Sequence, residues 1–398
     1  MDTVDGVLAQ RLREARERMG LTQKQLADAA GFPAHQIVSQ IEKGERQVKA
    51  WELARMAKIL AVSLYDLLGP EVIVRPRVLW RQSPQENGPL KESRLIERYK
   101  RFCFIQEVTG FQSHIRPPRI DMPIRSLSYR EVNQFAEAIR KAFELGSRPA
   151  FALMQVAEAQ FGIQIWYDSL GDDGSAASLV DVNGAAVLLN SDEVPWRRNY
   201  SFAHELFHVL TWDDAQVAAI QADTQLFDHN ERMANAFASA LLLPSDSVQA
   251  ELIKACKDEQ LQYADLVAIA GDFGVSTSAL LWRLVNMHIM EWEGVQAALK
   301  DPELQAVDAA SRKRDRRRPP NLPERFVRLS WLAWQLGHLS RGRLAEYLET
   351  HLVDLDDVLT EYGLSEAEFS PNEAVELALS GIMGCLSVEE ESSAAHSS

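Results

Sequence analysis

The sequence predicts a mainly α-helical protein of the α+β class, in which one small β-sheet precedes a long helical stretch. Three observations lead to this prediction. Apolar residues recur at helical spacing over most of the 398 residues. Ser, Thr, Gly and Pro stand where these stretches begin and end. Two segments, GIQIWYDSL and AAVLLN, are rich in β-branched or aromatic residues and are bounded by Gly, Asp and Asn, as strands are.

The composition is that of a globular protein, with 46% hydrophobic and 25% charged residues. The sequence has no run of 18 apolar residues, and its N-terminus is charged where a signal peptide needs an apolar core. The three cysteines are too scattered for a disulfide framework or a CxxC metal site. We therefore expect a cytoplasmic protein that does not bind a membrane.

The net charge of −15 argues against nonspecific coating of DNA, although it leaves room for a local DNA-binding face. Residues 1–69 hold ten Lys and Arg against nine Asp and Glu, so the rest of the chain carries about −16. The acidity therefore belongs to the part that follows residue 69.

Residues 1–69 are predicted to form an all-α domain of five short helices. Thr22 is expected to cap the second helix, and Gly31 is expected to end it. The segments GLTQKQLADAAGF and VSQIEKGER resemble the helix–turn–helix of the XRE/Cro-repressor family. The resemblance implies that the AHQIVSQIE helix enters the major groove of DNA. Gln23, at the start of the second helix, is predicted to contact phosphate. His35, Gln36 and Gln40 are the candidates for contacts with base edges. Arg46 is the last residue of the family's E-x-G-x-R ending and is also a predicted DNA contact.

Other interpretations of the basic features stay open. Between Gly31 and Ser39 the chain has one residue more than the commonest spacing of this family, with Pro33 inside it. The domain is barely basic, and it could dock a protein instead of DNA, since a fold does not fix a function. The run RKRDRRR at 312–318 could hold phosphates, but such runs are more often solvated linkers.

The segment YSFAHELFHV carries the strongest chemical signal. On a helix, His204 and His208 face the same way and can bind one metal ion, while Glu205 is placed to act as a general base. The competing interpretation is an ordinary helix with two hydrogen-bonded histidines. The flanking residues are apolar nearly all round, which predicts burial. A metal compensates for burying His, Glu and His together, so we favour the metal site.

A third protein ligand is expected from elsewhere in the chain, because catalytic zinc usually has three protein ligands and an open position. We select Glu231, which begins a helix with an apolar face, over the chemically suitable Asp228 and His229. His229 is also a weak candidate for stabilising an oxyanion, and a solvated loop histidine is the more frequent case.

Two stretches together resemble the ImmA/IrrE family of metallopeptidases: RRNYSFAHELFH at 197–208 and ERMANAFASALLLP at 231–244. The resemblance covers roughly residues 130–290. It implies a gluzincin-like zinc site in which Glu231 is the third ligand beside His204 and His208, with Glu205 as the catalytic base. Manganese accepts the same ligands as zinc.

The predicted organisation has six parts. Prolines, composition and charge divide the chain into a helix–turn–helix domain (1–69), a linker with one helix (70–128), a metallopeptidase domain (129–297), a charged Pro-rich connector (298–322), a C-terminal helical region (323–385) and a disordered tail (386–398).

The preferred functional hypothesis is a zinc peptidase that cleaves a regulatory protein. The resemblance implies as substrate a repressor of the XRE type or an antitoxin, and cleavage would control transcription or a stress or phage response. DNA is the expected partner of residues 1–69, and a second copy of the chain is a further candidate partner. The alternative is a transcription regulator whose metallopeptidase-like domain senses a ligand or mediates assembly. A weaker option is a toxin–antitoxin or phage-defence component.

Overall fold

The structure is a computed structural model that describes most of residues 4–383. Outside the described part lie residues 1–3, 61, 63, 69–75, 82–86, 112–116, 121–122, 173, 257–260, 313–317, 321, 368 and 384–398. The predicted disordered tail and most of the basic run therefore fall outside it. The chain forms two compact units, the first from residues 1–76 and 84–101 and the second from residues 77–83 and 102–398.

The first unit contains the five predicted helices. They are α1 (Val4–Arg18), α2 (Gln23–Ala30), α3 (Gln36–Glu42), α4 (Ala50–Ile59) and α5 (Leu64–Leu68). The hydroxyl of Thr22 accepts a hydrogen bond from the backbone N–H of Gln25, which caps α2 as predicted. Gly31 ends α2 in the left-handed conformation, at φ 68°, which glycine adopts at low cost. Buried apolar residues from all five helices form one core.

A four-stranded sheet lies in the second unit. Its strands are β1 (Arg77–Trp80), β2 (Gln164–Asp168), β3 (Ala176–Asp181) and β4 (Gly184–Asn190). The spatial order is β1-β3-β4-β2, in which β1 and β4 are antiparallel to β3 and β2 is parallel to β4. Most residues of β3 and β4 are buried, because helices cover the sheet.

The remaining elements are helices, as the sequence predicts. They are α6 (Gly88–Thr109), a 3-10 turn (Ile124–Ser126), α7 (Tyr129–Ala142), α8 (Pro149–Phe161), α9 (Pro195–Leu210), α10 (Asp214–Ala222), α11 (Thr224–Leu242), α12 (Ser245–Ala255), α13 (Tyr263–Asp272), α14 (Thr277–Asn286), α15 (Trp292–Lys300), α16 (Pro302–Arg312), α17 (Glu324–Gln335), α18 (Arg341–Tyr347), α19 (Leu355–Glu361) and α20 (Pro371–Met383). The protein is mainly α with one small sheet, so the predicted fold class is confirmed.

Three elements differ in detail from the sequence-based expectation. The interval 70–128 was expected to hold one helix, but it also contributes β1 to the sheet. β3 was not predicted either. β1 has only four residues, and its pairing with β3, about 100 residues later, decides its conformation. Within the connector, residues 302–312 form α16.

The C-terminal helices belong to the second unit. Phe326 of α17 packs edge-on against Trp166 of β2 and Phe102 of α6, with ring centroids 5.0 and 5.3 Å away. Trp166 is completely buried. Aromatic rings in this arrangement stabilise the packing beyond the area that they bury. Within the described part of the chain, no single helix is long and apolar enough to cross a membrane; α13 and α14 pass that test only jointly, across a bend of 96°.

Candidate metal centre

Helix α9 positions the predicted metal ligands. It begins directly after β4, with Pro195 at its first turn, where a missing N–H costs nothing. Every residue from Ser201 to Leu210 is buried, since α9 packs between the sheet and α11. The apolar flanks expected from the sequence therefore do surround the site. They leave His204, Glu205 and His208 at 0–2% exposure.

Three side chains meet on the face of α9 that points to α11. The Nε2 atoms of His204 and His208 lie 3.2 Å apart. The carboxylate of Glu231, on α11, places one oxygen 3.0 Å from Nε2 of His204 and the other 3.2 Å from Nε2 of His208. Of the three candidates for a third ligand, Glu231 thus meets both imidazoles.

Two asparagines of α11 support the imidazoles from behind. Nδ1 of His204 lies 3.1 Å from Oδ1 of Asn235, so its N–H can donate to that oxygen. Nδ1 of His208 lies 3.2 Å from the amide of buried Asn230, whose Oδ1 otherwise lacks a partner. Rotating this amide by 180° brings Oδ1 onto Nδ1 and satisfies both groups. Both rings then carry their proton on Nδ1, which leaves the Nε2 lone pairs directed at Glu231.

The arrangement fits a divalent cation. Two Nε2 lone pairs that face each other at 3.2 Å cannot hydrogen-bond to one another. A tetrahedral ion about 2.0–2.1 Å from each ligand would separate the ligand atoms by roughly 3.3 Å. The three observed separations of 3.0–3.2 Å are close to that value. Two imidazoles and a carboxylate are ligands that suit zinc, and manganese accepts them too.

Glu205 lies at the same point. Oxygen or nitrogen atoms of His204, Glu205 and His208 lie within 4.8 Å of one another. Both carboxylate oxygens of Glu205 are buried without a hydrogen-bond partner among the described residues, although Ser178 of β3 lies beside them. A buried polar group without a partner is costly. In this position the carboxylate is free to accept a proton from a water molecule at the ligands.

Burial sets the protonation states of these groups. It lowers the pKa of His204 to about 4 and raises the pKa of Glu205 to about 7. Burial also pushes the pKa of Glu231 upward, but the proximity of His204 and His208 outweighs it and holds that pKa well below its usual range. At neutral pH His204 is therefore neutral and Glu231 ionised, which are the forms that bind a cation.

In the first unit, the predicted DNA contacts fall into two groups. His35, Gln36 and Gln40 are exposed at the start and along one face of α3, as base-reading side chains must be. Gln23 instead donates to Glu42 at 2.9 Å, and Arg46 forms an ion pair with Glu52 at 2.8 Å. These two side chains already have partners within the unit.

Ion pairs hold this helix–turn–helix together. The Arg16 guanidinium of α1 contacts the almost fully buried Glu42 at the end of α3, at 2.6 and 3.0 Å. Glu42 therefore joins α1, α2 and α3 through Arg16 and Gln23. Such a buried network fixes the angle at which α3 presents its exposed face.

Sequence reasoning missed the supporting residues of the metal centre. Asn235 lies one helical turn after Glu231, a spacing that could have identified it. Asn230 directly precedes Glu231 and carried no such signal. Tyr200 donates from its hydroxyl to the backbone oxygen of Asn235 at 3.0 Å, which fixes the same turn of α11.

The comparisons with known proteins identify both units. Residues 7–67 match the family model described as a helix–turn–helix domain, and residues 158–285 match that described as an IrrE N-terminal-like domain, which belongs to a peptidase family. The resemblance of the central part to the ImmA/IrrE family and the N-terminal helix–turn–helix domain are confirmed. No curated protein matches the chain. A crystal structure of Bacillus thuringiensis PlcR in complex with the peptide PapR7 and DNA is 12% identical, covers 99% of this chain and 100% of its own, and has a TM-score of 0.19.

Proposed function

We propose that this protein is a zinc-dependent peptidase that cleaves a regulatory protein. Its chain joins a helix–turn–helix DNA-binding domain to an IrrE-like peptidase domain. One observation carries this proposal. Two imidazole nitrogens and the Glu231 carboxylate converge at 3.0–3.2 Å, and beside them Glu205 is buried without a hydrogen-bond partner in the described part of the chain. An ordinary buried helix would satisfy these polar groups with hydrogen bonds.

The residues have distinct roles in the proposed hydrolysis. His204, His208 and Glu231 hold the metal, which when bound supplies Lewis acidity toward water and the scissile carbonyl. The Glu205 carboxylate takes a proton from the attacking water and delivers it to the nitrogen of the leaving amine. Asn235 and Asn230 keep each imidazole proton on Nδ1.

The first unit would bring the peptidase to DNA. We propose that α3 reads DNA through His35, Gln36 and Gln40, which are exposed, and that this brings the enzyme to an operator or to a protein bound there. A repressor or an antitoxin is the substrate class that suits such targeting. Cleavage of a DNA-bound regulator would turn a local binding event into a change of transcription.

A second candidate function is favoured by the burial of the site. His204, Glu205 and His208 are at most 2% exposed, and the side chain of Glu231 beside them is only 16% exposed. A regulator that senses a ligand and cuts nothing could retain such a buried site. Such a regulator would, however, not need the buried Glu205 carboxylate, which serves as a general base only in hydrolysis.

The test compares the wild-type protein with the Glu205→Gln variant. Both are loaded with zinc and incubated with repressors and antitoxins encoded beside the gene, and the products are read by mass spectrometry. Glu205→Gln keeps the side-chain size and the three ligands, so the zinc content should stay the same while cleavage falls by about 10²–10⁴. Equal cleavage by both proteins would remove Glu205 from its role. No cleavage of any candidate by the wild type would favour the ligand-sensing regulator.

A further inference from the structure

A cavity of about 840 Å³ adjoins the metal centre within the second unit. Its walls come from α9, α11 and α14, with Arg81 after β1 at one side. Asn235 lines it, and the same side chain accepts the Nδ1 proton of His204. The cavity is thus one side chain away from the metal ligands. Its size lies in the range typical of ligand sites.

The cavity lies along the two helices that carry the ligands. On α9, Arg197 and Ser201 line the cavity and lie on the same helix face as His204, two turns and one turn before it, respectively. On α11, Asn235 and Ser239 follow Glu231 at steps of four residues and therefore share its face. A chain lying in the cavity is consequently directed along these two helices to the catalytic groups.

The walls carry an excess of positive charge. Arg81, Arg197 and Arg232 all line the cavity. One carboxylate opposes them, since Glu193 receives the Nε of Arg197 at 3.1 Å and the hydroxyl of Ser201 at 3.1 Å. Arg232 is exposed and has no ion-pair partner among the described residues. This leaves a cavity that attracts an acidic group, and Arg232 is free to bind it.

Aromatic side chains form another part of the wall. Trp282 of α14 and Trp292 of α15 lie with their ring centroids 4.5 Å apart. Trp292 is 53% exposed and Tyr129, also at the cavity, is 56% exposed. Large exposed aromatic side chains at the rim of a cavity are typical of binding sites. Beside the acidic group, the cavity thus offers a surface for a bulky apolar side chain.

The distances suit a peptide. Arg197 precedes His204 by seven residues, which is roughly 10 Å along a helix. An extended peptide advances about 3.3 Å per residue, so three residues cover that distance. An acidic side chain held at the Arg197 end of the cavity would therefore be about two to four residues from the cleaved bond. A free anion of small size would leave most of the 840 Å³ and the aromatic wall unused.

We propose that this cavity is the specificity pocket of the enzyme, and that it selects a peptide segment with Asp or Glu next to a bulky apolar residue, about two to four positions from the cleaved bond. This inference rests on the proposed peptidase function for its biological meaning. The binding preference itself can be measured without any cleavage.

The binding test uses full-length, zinc-loaded Glu205→Gln protein and two fluorescein-labelled synthetic peptide pools. All positions are randomised except the centre, which is Glu in one pool and Lys in the other. We expect the Glu pool to bind about tenfold more tightly by anisotropy, as one charge-assisted hydrogen bond to an arginine of the cavity provides. Arg232→Glu should abolish the preference, with unchanged zinc content. Lys141→Glu, an equal change of charge at an exposed position outside the cavity, should leave it unchanged.

The outcomes separate this inference from the proposed function. Preference for the Glu pool, lost in Arg232→Glu, supports the pocket even if the wild-type protein cuts neither pool, a result that would count against the peptidase. Cleavage by the wild type with no preference for acidic residues would overturn the pocket and keep the peptidase. Equal binding of the two pools, or an Arg232→Glu variant with the original preference, would also overturn it. If inorganic phosphate displaces the Glu pool at the same concentration at which phosphate alone binds the protein, the cavity is a site for a small anion instead.

Discussion

Removing the two asparagines behind the histidines should weaken metal binding to different degrees. Each Asn→Ala change deletes one acceptor of an Nδ1–H, and losing such an outer partner typically costs about 10–100-fold in metal affinity. That range corresponds to about 1.4–2.7 kcal/mol. The burial of each asparagine predicts where in this range its loss of metal affinity should fall. Asn235 is half-buried at the cavity, where water can replace its amide, so we expect the lower end of the range. Asn230 is 1% exposed, which excludes water and predicts the upper end.

The assay is competition for zinc against a chromophoric chelator at neutral pH. Asn235→Asp and Asn230→Asp serve as matched variants, because a carboxylate also accepts the Nδ1 proton and should preserve the affinity. Circular dichroism of the metal-free proteins controls for folding. Zinc affinities of both alanine variants within twofold of the wild type would refute this account of the imidazoles. A larger loss for Asn235→Ala than for Asn230→Ala would refute the role assigned to water.

Two further predictions concern the first unit. Gln36→Ala should weaken binding to a DNA site selected in vitro by about 1–3 kcal/mol and leave binding to random DNA unchanged, as gel shifts can measure; equal losses on both DNAs would contradict base reading by α3. Burial pushes the pKa of Glu52 upward, but the Lys49 backbone N–H and Arg46 lower it more, to below the usual 4.5. Its contribution to stability is therefore complete above pH 4.5 and is lost as the pH falls through the folded-state pKa. Glu52→Gln should reduce the acid sensitivity of hydrogen exchange in α4, and an unchanged pH profile would count against the ion pair.

Local signals in the sequence were sufficient for most of the helices. Thr22 and Gly31 mark the ends of α2 through a cap and a left-handed residue, and both depend only on neighbours within a few positions. The same holds for His204 and His208, whose common face follows from their spacing of four. These features could be predicted because one turn of helix contains all of the information.

Contacts between distant parts of the chain could not be predicted in this way. β1 is a strand because β3 pairs with it, and Arg81 reaches the cavity only because that pairing holds it there. β3 could have been predicted from the sequence, since Asn183-Gly184, which follows it, is a typical signal of a β-hairpin. Arg46 was expected at DNA from the motif, and only the fold reveals Glu52 as its partner.

The most direct test of the metal centre is the zinc content of purified variants by elemental analysis. The wild type and Glu205→Gln should each hold about one zinc ion per chain, since catalytic sites of this type bind one ion through three protein ligands. Asp228→Ala, which removes the rejected candidate for the third ligand, should match them. His208→Ala and Glu231→Ala should lose most of the metal, because each removes one of the three converging ligands. Full zinc occupancy in either of these two variants would contradict the assignment.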